Sequence, residues 1–152
     1  MREALRPIVI AGFVVGVMDI ASAFVIAVSR GSTPIRLLQF IASGLLGRSA
    51  FNGGARTAAL GLALHFVIAF GLVIVFYAAS RKLRALRERP VLSGIAYGVI
   101  VFAVMNLIVL PFSAATIRHA LVADLIQLAI HMFIVGLPTS LLIRRFSGAS
   151  AL

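Results

Sequence analysis

Residues 57–80, TAALGLALHFVIAFGLVIVFYAAS, run for 24 residues between Arg56 and Arg81 without a charged side chain. A helix rises about 1.5 Å per residue and the hydrocarbon core of a bilayer is about 30 Å thick, so roughly 20 apolar residues cross it. The segment is too long for a barrel strand, and a backbone in hydrocarbon must satisfy its own hydrogen bonds. A transmembrane helix is therefore expected here. Working outward, three further uncharged or nearly uncharged stretches read the same way, at about 7–29, 90–112 and 120–143. The whole chain agrees: 62% of its 152 residues are hydrophobic and 12% charged, where soluble domains sit near 45–50% apolar. The fold class expected is all-α, a polytopic membrane protein with one four-helix transmembrane domain over residues 1–152.

The first stretch also has features of a secretion signal, with Arg2 and Arg6 ahead of it and Ala21-Ser22-Ala23 in the form of a cleavage site. The apolar run continues past that point to Val28, which favours a first membrane span. Cysteine is absent, so disulfides, thiolate metal sites and cysteine nucleophiles are excluded.

The formal charge of +10 raises the question of nucleic acid, but the basic residues gather at span ends instead of interleaving with aromatics. Anionic lipid headgroups are the partner this pattern fits, and nucleic acid is not expected. Nine of the 14 Lys and Arg lie at the N-terminus, in the 81–90 loop RKLRALRERP and in the C-terminal tail. Arg30, Arg36, Arg48, Arg56 and Arg118 occupy the other two loops. The positive-inside rule then points both termini and the middle loop to the cytoplasm.

The first outer loop holds more than a linker. Ser32 or Thr33 is placed to cap a helix starting at Pro34, a favourable first-turn residue. Ile35, Leu38, Ala42 and Leu45 fall on one face of it, with Arg36, Gln39 and Ser43 elsewhere. A short interfacial or re-entrant helix over about 34–47 is expected, and FNGGAR after it supplies the turn into the second span.

The two halves of the chain echo each other. The second span contains LALHFVIAFGL and the fourth LAIHMFIVGL. The first and third both open with Arg-Pro followed by a GxxxG, at Gly12/Gly16 and Gly94/Gly98. This pattern reads as two helical hairpins related by a pseudo-two-fold axis along the membrane normal, with His65 and His131 in equivalent places. The glycine pairs are helix-packing motifs.

Of only four acids, two lie inside expected spans, Asp19 and Asp124, where a charge costs about 2.5–3.5 kcal/mol on insertion scales. Asp19 shares a small-residue stripe with Gly12, Gly16 and Ala23, and His65 one with Ala58, Gly61 and Ala69. Asp124, Gln127 and His131 share a face that continues to Val135 and Pro138, and Pro138 is expected to kink the fourth helix. Asn106 lies toward the outer end of the third span. Asp19 and His131 fall near mid-membrane and the other four in the outer half. Asp19, His65, Asn106, Asp124, Gln127 and His131 together form a candidate ligand or ion pocket.

Several chemistries suit that set. Histidines on facing bundle helices suit haem or another metal, with His65 and His131 as ligands. Intramembrane Asp and His suit a proton relay or ion site in a small transporter, which with four spans calls for a homodimer. A lipid or small-molecule pocket is the third, and interhelical hydrogen bonding alone the plainest, at about 0.6 kcal/mol per bond. No Ser-His-Asp arrangement, metalloprotease motif or phosphate-binding glycine loop is present, so no catalytic residues are expected. The leading expectation is a non-enzymatic ligand-binding or accessory membrane subunit, alone, as a homodimer or in a larger membrane complex. No cofactor is specified by the sequence.

GxxxGxxD in the first span, RLLQFIASGLLG in the outer loop, ALGLALHF, MNLIVLPFSA and HMFIVGLP together resemble a group of small four-span bacterial inner-membrane proteins. A more distant similarity is to the YagU-like proteins, which share the four-span layout and histidines in matching places. The resemblance implies the fold and the inner-membrane location. It implies no reaction, substrate or cofactor.

Overall fold

The computed structural model describes residues 2–116 and 120–148. Arg118, one of the arginines that bears on topology, lies outside the described residues. Helix α1 (Arg2–Ser29) is followed by α2 (Pro34–Leu46), a 3₁₀ turn (Gly47–Asn52) and α3 (Gly54–Lys82). A single turn, α4 (Ala85–Glu88), leads to α5 (Pro90–Val104), which continues as a π turn over Met105–Val109. The last span is α6 (Leu121–Ile130), a π segment (His131–Gly136) and α7 (Leu137–Gly148) in one continuous rod. No strand occurs among the described residues.

Four segments are long and apolar enough to cross a membrane: Leu5–Ser29, Gly54–Lys82, Pro90–Val109 and Leu121–Phe146. In none is more than 39% of the most apolar window buried in the protein. Val25, Val67, Leu107 and Phe112, among many others, therefore point outward at 68–88% exposure, an arrangement that suits lipid and would aggregate in water. The second and fourth spans outrun the limits expected from charge, because a helix continues through Arg81, Lys82, Arg144 and Arg145, whose long side chains reach the interface without breaking it.

Consecutive spans run in opposite directions, so the N-terminus, α4 and the end of α7 lie at one end of the bundle, the terminal end. Helix α2 and residues 110–116 lie at the other, the loop end. Thr33 caps α2 by accepting the Arg36 N–H at 3.2 Å, and Pro34 takes the first turn. Gly47 closes it with a φ of 61°, a value that suits only glycine. Its buried side is the polar one. Gln39, Ala42 and Ser43 turn inward while Ile35 and Leu45 are more than half exposed. The face grouped from spacing is thus split, since a helix lying among apolar surroundings has its polar groups to hide. Gln39 Nε2 donates to the Gly54 carbonyl at 3.1 Å, and Gly61 lets the Leu38 carbonyl approach α3 directly.

Two buried clusters hold the spans together: Ala11, Val73, Phe76 and Ile143 toward the terminal end, and Val15, Val101 and Val135 nearer the middle. The first span packs on α3 and on the fourth span, and the third span packs on the fourth. Between the third span and α3 the bridge is Tyr97, whose hydroxyl donates to the Leu72 carbonyl at 2.6 Å and whose ring meets Phe76 edge-on. The halves are therefore not related by a simple two-fold: α2 has no counterpart among the described residues of the second half, and the two hairpins pack with different closeness. Gly12 and Gly16 receive the rings of Phe70 and Phe66, whereas Gly94 and Gly98 receive the main chain of the fourth span itself.

Two prolines in the second half of the chain act alike. Pro138 produces a π segment ahead of itself in place of the simple kink expected. A proline has no N–H for the carbonyl four residues back and crowds it, and widening the preceding turn relieves both faults. The Leu137 N–H bonds the Met132 carbonyl five residues back, and Thr139 Oγ1 donates to the Val135 carbonyl at 2.6 Å. Pro111 does the same in the third span, where the Leu110 N–H bonds the Met105 carbonyl at 2.9 Å.

Ser140 lies in the tight seam between the third and fourth spans, 1% exposed, its hydroxyl without a partner among the described residues. Replacing such a group by an apolar one of similar size costs nothing in hydrogen bonding. Ser140→Ala should match or exceed the wild-type unfolding midpoint in detergent, by up to about 1 kcal/mol. A clear loss would reveal a partner for the hydroxyl.

Candidate functional site

The site is set by depth. Asp19 lies ten residues from the loop-side end of its span at Ser29, His65 eleven from Gly54, and His131 ten from Leu121. At about 1.5 Å per residue all three sit roughly 15 Å in, near the middle of a 30 Å layer. His65 therefore belongs with Asp19 and His131 and not in an outer layer, because α3 starts earlier than charge spacing indicates.

Helices α1 and α3 place the first pair. Because Gly16 has no side chain, the Phe66 ring packs on its Cα and the neighbouring imidazole reaches its carbonyl. His65 Nε2 lies 2.8 Å from the Gly16 oxygen, and since a carbonyl only accepts, Nε2 carries the proton. His65 Nδ1 then faces Asp19 Oδ2 across 4.0 Å. That is too long for a hydrogen bond and close enough for strong coupling in a region of low dielectric. The imidazole side chain is 11% exposed and the carboxyl 27%.

His131 arrives from the fourth span at the first residue of the π segment. Its Nδ1 is 2.8 Å from the Gln127 carbonyl, against 3.4 Å to the Gln127 side-chain nitrogen. The shorter contact decides: Nδ1 donates to the carbonyl, leaving the lone pair on Nε2. His131 is also within electrostatic reach of the Asp19 carboxyl, after His65. Both imidazoles rest edge-on to a phenyl ring, His65 on Phe66 and His131 on Phe102. One turn toward the terminal end, Val15 and Val135 join Val101 in an apolar floor.

Of the remaining residues of the expected pocket, Gln127 touches His131, while Asn106 and Asp124 make no contact with the two histidines that the structure shows. Asn106 Nδ2 donates to the Phe102 carbonyl of its own helix at 2.8 Å. Asp124 is half-buried in the first turn of α6, and the Gln127 side chain is exposed. Three and six residues in from Leu121, they sit nearer the loop end, where Leu121, Val122 and Leu125 are more than half exposed. Among the described residues no group of three or more His, Asp or Glu side chains is placed to hold a metal ion. A haem or metal role for His65 and His131 thus rests on the two imidazoles alone.

The centre has a definite chemical character. It holds two ring nitrogens with lone pairs and one carboxyl, all acceptors when both imidazoles are neutral and the carboxyl is ionised. Sequence reasoning did not find the two main-chain carbonyls that fix the tautomers, nor Gly136, whose main chain locks against Gly94 and Gly98 beside His131. Carbonyls carry no residue signature. Gly136 was legible only as the glycine of HMFIVGLP. No family model matches the chain, and no curated protein or solved structure matches it either.

Proposed function

We propose that the protein is a non-enzymatic subunit of the bacterial inner membrane, its termini cytoplasmic, whose centre binds one small cation, in the first instance a proton. The observation that carries this reading is the 4.0 Å gap between His65 Nδ1 and Asp19 Oδ2, with Nε2 already committed to Gly16. Two acceptors facing each other at that range repel until a proton joins one of them. A proton in the gap would draw the pair toward the 2.7–2.9 Å of a charge-assisted bond. His131 supplies a second lone pair at the same depth.

The test is NMR of the histidine ring nitrogens in detergent, on the wild type and Asp19→Asn at one pH. The His65 ring resonances are expected to differ between the two proteins, with the helical fold retained by circular dichroism. Identical His65 resonances in the two proteins would sink the reading.

A second reading, a proton- or ion-coupled transporter acting as a dimer, is favoured by the π segment that begins at His131. Such turns have weaker, wider hydrogen bonding and recur at functional sites. It predicts proton flux in liposomes under an imposed pH gradient that Asp19→Asn abolishes. Binding without flux leaves the first reading standing alone.

A further inference from the structure

At the terminal end, Arg89, Pro90, Val91, Leu92, Ile95 and Arg144 line an open groove of about 520 Å³ between the third and fourth spans. Its wall is almost wholly hydrocarbon, to which Arg89 and Arg144 contribute the stems of their side chains, one arginine from each flank. Arg89 immediately precedes the third span, and Arg144 lies two residues before the last residue of the fourth. Both therefore sit where lipid phosphates would be, while Val91, Leu92 and Ile95 run inward from them along α5. The local charge is unbalanced. Of the acids near this end, Glu88 is engaged by Arg84 at 3.7 Å, and among the described side chains no carboxylate pairs with Arg89 or Arg144.

We infer that this groove is a binding site for one anionic phospholipid, its phosphate held by Arg89 and Arg144 and an acyl chain lying along Val91, Leu92 and Ile95. Two features choose this occupant. Guanidinium groups bind phosphate oxygens in paired geometry, and a hydrocarbon wall continuing into the membrane from those groups matches a lipid and offers nothing to a free anion. A second copy of this chain would bring its own arginines to the same end and meet like charge. The site is thirteen residues, about 20 Å, from His131 along the fourth span, so it stands or falls separately from the central cation site.

The experiment is native mass spectrometry of the full chain in detergent, titrated with phosphatidylglycerol, with phosphatidylcholine and with inorganic phosphate. One phosphatidylglycerol is expected to bind in preference to phosphatidylcholine, unaffected by millimolar inorganic phosphate. The Arg89→Ala/Arg144→Ala double variant should weaken it at least tenfold, while Arg36→Ala/Arg48→Ala at the loop end should leave it unchanged. Leu92→Glu, which puts a carboxylate on the groove wall and keeps both arginines, should weaken it as well. Equal binding of the two lipids, displacement by inorganic phosphate, or full binding by the Arg89/Arg144 variant would each overturn the assignment. Equal loss in the Arg36/Arg48 variant would do so too, since it would mean non-specific attraction to a basic protein.

Discussion

Gly98→Leu should unfold the bundle at a markedly lower denaturant concentration than the wild type, a loss of about 3 kcal/mol, the upper part of the range for overpacking a tight interior. A Cβ at Gly98 would land on the carbonyl oxygen of His131, and one at Gly94 would come within 2.7 Å of Leu137 Cα. Gly136 closes the same seam from the other side, against the Gly94 carbonyl and the Gly98 main chain. Here main chain meets main chain, and neither side has a rotamer to offer. Gly12 is a softer case, because its neighbour is the Phe70 ring, so Gly12→Ala should cost less. Gly71 has nothing within 4 Å of its Cβ position, and Gly71→Ala should be neutral or stabilise by up to about 1 kcal/mol through helix propensity. Midpoints of unfolding in mixed detergent order the three. A Gly98→Leu protein as stable as wild type would mean that the third and fourth spans do not touch through their main chains.

The second large effect is expected at His65. His65→Leu removes the hydrogen bond to the Gly16 carbonyl and the edge contact with Phe66, and leaves the Asp19 carboxyl without the imidazole that faces it. Removing one member of an interior pair costs more than replacing both, because the survivor is stranded. The single variant should lose about 2–3 kcal/mol, the scale of an unpaired charge inside a span. Asp19→Leu/His65→Leu should lose less than the sum of the two singles, by about 1 kcal/mol or more. Additivity within about 0.5 kcal/mol would mean that nothing passes between the two groups across the 4.0 Å gap, and the central cation site would lose its basis.

The four spans were legible because a bilayer imposes a local, contiguous demand: about 20 apolar residues in a row, read off without knowing any neighbour. The start of α2 was legible for a similar reason, since Thr33 and Pro34 act on the turn they begin. Asp19, His65 and His131 stood out by scarcity, as ionisable groups among hydrocarbon. Their grouping was less legible. Gln127 does reach His131, whereas Asn106 bonds within its own helix and Asp124 lies nearer the loop end, in the first turn of α6. Residue counts give depth along a helix only when its true ends are known, and α3 begins three residues before the charge pattern indicates.

What the sequence alone determined was therefore the class of structure, the number of spans and the rare polar residues inside them, each a property of one helix against its solvent. Only the tertiary structure decided which helix lies against which, that Gly94 and Gly98 meet bare main chain while Gly12 and Gly16 meet rings, and that carbonyls of Gly16 and Gln127 fix the two imidazoles. The physical reason is that apolar helices in an apolar medium are not sorted by hydrophobicity. Steric fit and a few polar contacts choose the partners, and those contacts run to main-chain atoms that every residue shares.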